Sequence, residues 1–229
     1  MATSVNYWRS TVGRKFIMAI SGIALIIYLI VHLLGNLTLF IPDGGVTFNY
    51  YSYILHQLGP ILNVIRVILA AAFLFHIGTA VRVFVENRRA RSKRYAVTAS
   101  KGGPSKLSAA SRSMAITGLL LFIFVPIHVW MFTLGPYYET VIGGHVVRDL
   151  YRVVVPAFKN PLIAFGYSAT MLFLWMHLRH GFWSSLQSLG ALRPNWTNAI
   201  YAFGRVFAFL LAGGFLILPL YVCFIVPWP

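Results

Sequence analysis

Five long apolar segments alternate with shorter, more polar stretches along the 229-residue chain. Each segment holds about the 20 apolar residues that a helix needs to cross a bilayer. They lie at residues 16–40, 62–85, 113–135, 160–182 and 203–227. Two shorter stretches between them are amphipathic, namely FNYYSYILHQLG (48–59) and HVVRDLYRVVVPAF (145–158), and no internal repeat of fixed period is apparent. The pattern predicts an all-α membrane protein, a bundle of five transmembrane helices that forms a single membrane domain over residues 1–229.

The composition supports an integral membrane protein. Hydrophobic residues make up 59% of the chain and charged residues only 10%, with four acidic residues in all, and the mean hydropathy is +0.75. A soluble domain of this length needs a polar surface, which so few charged side chains do not provide. The single cysteine, Cys223, leaves this sequence without an internal disulfide, a CxxCH haem attachment or a cysteine-held iron–sulfur cluster.

The basic residues are concentrated at alternate ends of the segments. Of the 19 Lys and Arg residues, fifteen lie near the N-terminus, between the second and third segments, or between the fourth and fifth. Because Lys and Arg favour the cytoplasmic side, we expect a cytoplasmic N-terminus, an outside C-terminus and a basic cytoplasmic loop at residues 86–112. An anionic membrane surface explains the net charge of +15 more simply than nucleic acid does. The expected location is the inner (plasma) membrane of the cell.

Four of the seven histidines fall inside the apolar segments, one in each of the first four. They are His32, His76, His128 and His177. A polar side chain in hydrocarbon is costly without a partner, so each of the four is a candidate functional residue. For any one of them alone, a hydrogen bond to a neighbouring serine or carbonyl is the more common role.

The depths of these histidines group them into two pairs. His32 and His128 lie about 25 Å from the cytoplasmic side, given the rise of a helix per residue. His76 lies about 15 Å from that side on the same scale, and His177 is close to it. A porphyrin iron needs its two imidazoles at nearly the same height. Depth therefore pairs His32 with His128 on an outer haem iron, and His76 with His177 on an inner one.

Haem is favoured over two other uses of paired histidines. Axial imidazoles from two facing helices give six-coordinate iron, which transfers electrons without binding a substrate. Zinc requires further Cys, Asp or Glu ligands, and a proton relay normally includes carboxylates. The apolar segments offer almost none of these side chains. Small residues one turn from the histidines, Gly35, Ala72, Ala80 and Gly181, give a porphyrin room or serve plain helix packing.

Three stretches of the chain carry a family resemblance. GRKFIMAISGIALIIYLIVHLLGNLTLF (13–40), FNYYSYIL (48–55) and HLRHGFWSSLQSLG (177–190) resemble the di-haem cytochrome b subunit of succinate:quinone oxidoreductases, that is, succinate dehydrogenases and their fumarate reductase relatives. The likeness extends over nearly the whole chain in helix number, histidine order and the HLxGN and HxxxGxW motifs. It implies that the four histidines bind two b-type haems, with His177 as the ligand in the last motif. His180 takes a position that is often polar, and Arg179 is a haem-propionate contact or an interfacial anchor.

The resemblance also implies partners and a substrate. In this family a flavoprotein oxidises succinate and an iron–sulfur subunit relays the electrons. Neither a dinucleotide-binding glycine fingerprint nor a cysteine cluster occurs in this sequence, so its expected part in the succinate dehydrogenase (quinone) complex is to anchor both subunits and pass electrons to a membrane quinone. We expect menaquinone, although the residues do not distinguish it from ubiquinone. The basic loop either docks the iron–sulfur subunit or faces lipid headgroups.

Two alternatives stay open at this point. One is the cytochrome b subunit of a formate dehydrogenase or hydrogenase, which differs in helix number and in the motif after the fourth helix. The other is a haem-free membrane transporter, for which inverted repeats and helices broken at the midplane are expected. The sequence shows no such pair of segments.

The position of a quinone pocket is not predicted. Polar residues that are candidates for it lie near both ends of the segments. They are Ser21 and Arg14 near the inner end, and Arg66, Asp43, Glu139 and His145 near the outer end.

Overall fold

The computed structural model of the protein describes residues 10–90 and 109–228. Within these residues five helices are long and apolar enough to cross a membrane, which confirms the predicted multi-pass helical protein. The helices are α1 (Thr11–Asn36), α2 (Val46–His56), α3 (Pro60–Arg89), α4 (Ala109–Arg112), α5 (Met114–Phe132), α6 (Tyr151–Lys159), α7 (Pro161–Ser188) and α8 (Thr197–Phe224). The strands are β1 (Glu139–Ile142) and β2 (His145–Arg148), and 3₁₀ turns cover Leu37–Phe40 and Pro194–Trp196.

The spanning helices begin at local signals in the sequence. The Ser10 side chain accepts a hydrogen bond from the Gly13 amide (3.1 Å) and caps α1. Asn160 caps α7 in the same way through the Leu162 amide (3.0 Å), and Pro161 follows at the first helical position. Such caps satisfy amides that have no partner inside the helix, and a proline at the first position loses no helical hydrogen bond.

Small residues let the helices approach each other closely. α7 packs along the length of α8, and Ala208 of α8 is fully buried in that contact. A side chain at Gly204 would meet the Phe182 ring at 2.9 Å, and one at Gly214 would meet Leu33 of α1 at 2.8 Å. Lipid tails are as apolar as leucine, so close backbone contact of this kind is what holds membrane helices together.

The outer surface of the bundle is apolar. Large side chains such as Ile27, Leu34 and Phe209 are more than half exposed on the spanning helices. Outward apolar residues of this kind suit a hydrocarbon environment, in which each helix satisfies its own backbone hydrogen bonds.

The two ends of the bundle differ in structure. At the end we call the basic end, α1 and α8 begin and α3 and α7 finish, and an ion pair of 2.9 Å joins Arg14 of α1 to Glu86 of α3. At the opposite end, the hairpin end, α2, α6 and the β1–β2 hairpin cover the bundle. The predicted basic loop falls mostly on residues 91–108, which include Lys101 and Lys106 and lie outside the described residues. Residues 86–89 continue α3 instead.

The stretch at 145–158 is not one amphipathic element. Its first four residues form β2, which pairs antiparallel with β1, and α6 begins only at Tyr151. The turn between the strands consists of Gly143 and Gly144, both with positive φ (59° and 80°), as a two-residue hairpin turn requires. α6 then buries Val153, Val154, Val155 and Phe158 in a cluster with the ends of α5 and α8.

A buried amide joins α2 to the start of α6. Asn49, only 3% exposed, donates to Asp149 (2.8 Å) and accepts from the Tyr151 amide (2.9 Å). The Asn49 side chain thus bonds both the Asp149 carboxylate and the first turn of α6. It fixes two parts of the cover at the hairpin end to each other.

Asp43 stabilises the turn before α2. Its carboxylate accepts hydrogen bonds from the Gly45 amide (3.0 Å) and the Thr47 amide (2.9 Å). Partial burial raises the pKa of Asp43, but the hydrogen bonds from Thr47 and Gly45 outweigh it and hold this pKa below its usual value. The carboxylate is therefore used as a structural cap.

We expect Asn49→Ala to destabilise the protein, because it leaves the Tyr151 amide without its acceptor. A buried group that loses its partner costs about 1–3 kcal/mol in free energy of unfolding. Thermal unfolding in detergent, followed by tryptophan fluorescence, measures the loss. Asn63→Ala is the matched control, since Asn63 is exposed and its side chain accepts a hydrogen bond from Arg66 (3.1 Å) on the protein surface. Equal melting temperatures for the two variants would contradict this role of Asn49.

Candidate functional site

The structure brings the four membrane histidines together in two facing pairs. His32 of α1 faces His128 of α5, with ring centroids 5.7 Å apart and ring planes at 86°. His76 of α3 faces His177 of α7, with centroids 6.2 Å apart and planes at 67°. These are the two pairs that depth predicted, and their ligation of haem iron stays a prediction. All four side chains are partly buried.

The two pairs lie at two levels of the bundle. Ser21 contacts the ring of His76 (3.4 Å) and stands eleven residues before His32 in α1. Thr117, which contacts the other ring of that pair, also stands eleven residues before His128 in α5. Eleven residues of helix rise by about 16 Å. The pair His76–His177 is therefore nearer the basic end, and the pair His32–His128 is nearer the hairpin end.

The orientation of His76 is set by α1. Its Nδ1 lies 3.2 Å from the Met18 carbonyl oxygen and 3.4 Å from the Ser21 hydroxyl. A carbonyl oxygen can only accept, so Nδ1 carries the proton and donates. The opposite nitrogen, Nε2, is then bare and available as a ligand.

The orientation of His177 is set by α5 in a similar way. Its Nδ1 lies 3.2 Å from the Thr117 hydroxyl. That hydroxyl also lies 3.1 Å from the Ser113 carbonyl and 3.3 Å from the Met114 carbonyl. Since both carbonyls can only accept, the hydroxyl donates its proton to them and accepts from Nδ1–H of His177. His177 thus also presents a bare Nε2.

Aromatic rings surround the pair at the hairpin end. The His32 ring stacks on Tyr28 (5.3 Å), and the His128 ring stacks on Phe124 (5.7 Å). Among the described residues, Nδ1 of His128 is buried without a hydrogen-bond partner. The two pairs therefore differ in surroundings, with hydroxyl and carbonyl oxygens at one level and aromatic rings at the other.

The spacing of each pair suits two imidazoles that share one metal ion. Imidazole nitrogens bind metal ions at about 2 Å, which places the centroids of two rings on opposite sides of the metal about 6 Å apart. The separations of 5.7 Å and 6.2 Å agree with this value. Across residues 10–90 and 109–228, no group of three or more His, Cys, Asp and Glu side chains is placed to hold a metal ion. The donor set at each level is thus two imidazoles, which is the set that a bis-histidine haem uses.

Two glycines give the basic-end pair its space. A Cβ atom at Gly22 would lie 3.2 Å from His76 Cε1, and one at Gly118 would lie 3.5 Å from His177 Cε1. Each glycine directly follows the hydroxyl residue of its helix. The two helices therefore share a pattern, [Ser/Thr]-Gly-x9-His, at residues 21–32 and 117–128. This repeated pattern is the sequence signal that points to Ser21 and Thr117 as neighbours of the histidines.

Of the two roles that the sequence leaves open for Gly35, helix packing is the one that its surroundings favour. A side chain at Gly35 would collide with the ring of Tyr51 from α2, so this glycine serves helix packing. Gly181, one turn after His177, has open space around its Cα atom.

The remaining residues of the last motif lie near the basic end of α7. The Arg179 guanidinium lies over the Trp175 ring, 6.0 Å from its centroid. The His180 ring meets the Trp183 ring edge-on at 5.6 Å, and Nδ1 of His180 is buried without a described partner. Of the two histidines in this motif, His177 is the one that faces His76.

The polar candidates for a quinone pocket mostly have structural contacts. Ser21 bonds His76, Arg14 pairs with Glu86, and Asp43 caps α2. At the hairpin end, Arg66 contacts His56 (3.4 Å), His145 stacks on Tyr53 (5.2 Å), and Glu139 lies exposed in β1.

A groove of about 560 Å³ opens at the hairpin end. Trp130, Met131, Arg152 and Trp228 contribute to its lining. Met131 also accepts a hydrogen bond from the Tyr167 hydroxyl (3.2 Å), and the Tyr167 ring packs against His128 at 6.0 Å. The groove is thus connected to the hairpin-end pair through one layer of side chains.

No protein-family model, characterised protein or solved structure matches the chain.

We expect Gly22→Leu to destabilise the protein more than Gly78→Leu. A side chain at Gly22 enters the space of the His76 ring, whereas Gly78 of α3 has open space around it. Overpacking of this kind costs about 1–3 kcal/mol, and both variants gain the same helix propensity. Melting temperatures in detergent compare the two. A Gly22→Leu variant as stable as Gly78→Leu would show that the ring is not held against α1.

Proposed function

We propose that this chain is the membrane-anchor, di-haem cytochrome b subunit of a succinate:quinone oxidoreductase. The observation that carries the proposal is the presence of two facing histidine pairs, about 16 Å apart along the bundle by the helical rise. Each pair has the ring separation that two axial ligands of one metal ion require. The HLxGN and HxxxGxW motifs at His32 and His177 support the same family.

The four histidines are the residues that would hold the two groups. Held by two imidazoles each, b-type haems would supply reversible one-electron transfer without binding a substrate. Ser21, the Met18 carbonyl and Thr117 hold the rings of the basic-end pair with Nε2 bare. The aromatic side chains around His32 and His128 keep water away from the other pair.

The proposed complex supplies the chemistry that this chain lacks. A flavoprotein oxidises succinate and an iron–sulfur protein passes the electrons on, and both would dock at the basic end. With this end in the cytoplasm, as the concentration of Lys and Arg favours, His76 and His177 would hold the group nearer these two partners. His32 and His128 would hold the group farther from them. In this proposal the chain lies in the inner membrane, as a part of the respiratory chain.

We propose the open groove at the hairpin end as the quinone site. Its volume is within the range of about 300–1,000 Å³ that small-molecule sites occupy. Its lining combines tryptophan rings with the cation of Arg152, which suits an apolar ring bearing carbonyl oxygens. Menaquinone is the quinone that we propose.

We expect two b-type components in the reduced-minus-oxidised absorption spectrum of the purified protein. His32→Leu and His128→Leu should each remove one and the same component, because both rings serve one iron. His76→Leu and His177→Leu should each remove the other. Loss of different components in His32→Leu and His128→Leu would contradict the pairing. A protein without any b-type absorption would contradict the proposed function and leave a haem-free transporter as the alternative.

His180→Ala should retain both components, whereas His177→Ala should lose one. The reason is that His177 faces His76, while the His180 ring contacts Trp183. A ligand at position 180 would also lie about 4.5 Å further along the helix, out of level with His76. The same difference spectrum measures both variants. The opposite result, with His180→Ala losing a component and His177→Ala keeping both, would identify His180 as the ligand.

A further inference from the structure

We infer that Ser21 and Thr117 are positioning residues that orient the basic-end histidines and set the electron affinity of the group they bind. The inference rests on the proposed function, because it concerns haem ligands. It is carried by the two hydroxyl contacts to Nδ1, 3.4 Å for Ser21 and 3.2 Å for Thr117. It is also carried by the repeated [Ser/Thr]-Gly pattern in α1 and α5.

The two contacts are built in the same way on two different helices. In each, the hydroxyl lies within reach of carbonyls in the preceding turn of its own helix: Ile17 (2.8 Å) and Met18 (3.1 Å) for Ser21, and two for Thr117. The hydroxyl thereby donates its proton to a carbonyl of its own helix, and its oxygen accepts a hydrogen bond from Nδ1–H of the histidine. The glycine that follows leaves room for the ring beside the helix.

The surroundings explain why these contacts hold the rings. Ser21 is 6% exposed and Thr117 is 1% exposed, so water does not replace either hydroxyl. In a spanning helix an imidazole N–H without an acceptor is costly, and each ring therefore stays in the rotation that reaches the neighbouring helix. That rotation directs Nε2 of each ring away from its partner hydroxyl and leaves it free for the metal.

The same hydrogen bonds change the ligands electronically. A histidine that donates its second N–H to an oxygen becomes a more basic ligand through its other nitrogen. A more basic ligand stabilises the oxidised iron. Hydrogen bonding to the ligands is therefore one of the factors that determine a haem reduction potential. Ser21 and Thr117 therefore lower the midpoint potential of the basic-end group. No hydrogen bond of this kind reaches His32 or His128 within the described residues.

The two hydroxyls should differ in the size of their effect on the midpoint potential. The Thr117 hydroxyl is the one described partner of Nδ1 of His177. Nδ1 of His76 has the Met18 carbonyl as a second acceptor (3.2 Å), which remains when Ser21 is replaced. Loss of the Thr117 hydroxyl should therefore have the larger effect.

The test is a redox titration of both b-type components in the purified complex, each assigned beforehand with the histidine variants. Thr117→Val should shift the basic-end component to a more positive midpoint potential and leave the hairpin-end component in place. Ser21→Ala should shift the same component in the same direction by less. Thr117→Ser keeps the hydroxyl and should restore the unmodified potential. Thr79→Val is the matched control, because the buried Thr79 hydroxyl of α3 bonds the Phe75 and His76 backbone carbonyls (2.6 Å and 3.1 Å) and, among the described residues, no imidazole nitrogen.

The outcomes separate this inference from the proposed function. If both components are present and the basic-end potential is unchanged in Thr117→Val and Ser21→Ala, the inference is overturned and the proposed function is left intact. An equal shift in Thr79→Val would also overturn it. Loss of the basic-end component in Thr117→Val, with its retention in Thr117→Ser, would support the positioning role. An unmodified complex without b-type absorption would overturn the proposed function together with the inference.

Discussion

An imidazole inside a bilayer has no water to bond with, and this constraint organises the bundle. The rings of His76 and His177 satisfy it by reaching across to oxygens on neighbouring helices. These contacts join α3 to α1 and α7 to α5. In the resulting alignment the two rings face each other, with their centroids 6.2 Å apart. The same polar groups thus determine both how the helices are rotated and what the space between them can hold.

The second pair does not meet this constraint within the described part of the chain. The rings of Tyr28 and Phe124 stack on His32 and His128, and Nδ1 of His128 is buried with no hydrogen-bond partner among the described residues. Ring packing therefore positions His128. A bundle with one polar and one aromatic level has two environments of different electrostatic character. Two chemically identical groups would therefore differ in reduction potential.

The fold was largely predictable from the sequence, since segment length and hydropathy alone identify helices that cross a membrane. The β1–β2 hairpin was not predicted. Its strands have only four residues each, and the second strand ends two residues before α6 begins, so the two elements resemble one amphipathic stretch in the sequence. The pairing of the four histidines could be predicted from depth. The role of Gly35 could not be predicted, because its neighbour Tyr51 belongs to α2. The residue pattern of one helix does not show its contacts with another helix. The contacts of Ser21 with His76 and of Thr117 with His177 could not be predicted either, because each joins two different helices.

The interval of eleven residues between hydroxyl and histidine in α1 and α5 also restricts how the sequences of these helices can change during evolution. At 3.6 residues per turn, eleven residues complete about three turns, so the hydroxyl and the histidine of one helix point to the same side. Inserting or deleting one residue between them would rotate one group by about 100° relative to the other. Since each of these helices serves both levels, a single such event would disconnect one of the two sites. These two segments should therefore accept substitutions much more readily than changes in length, even where every side chain between the two groups faces lipid.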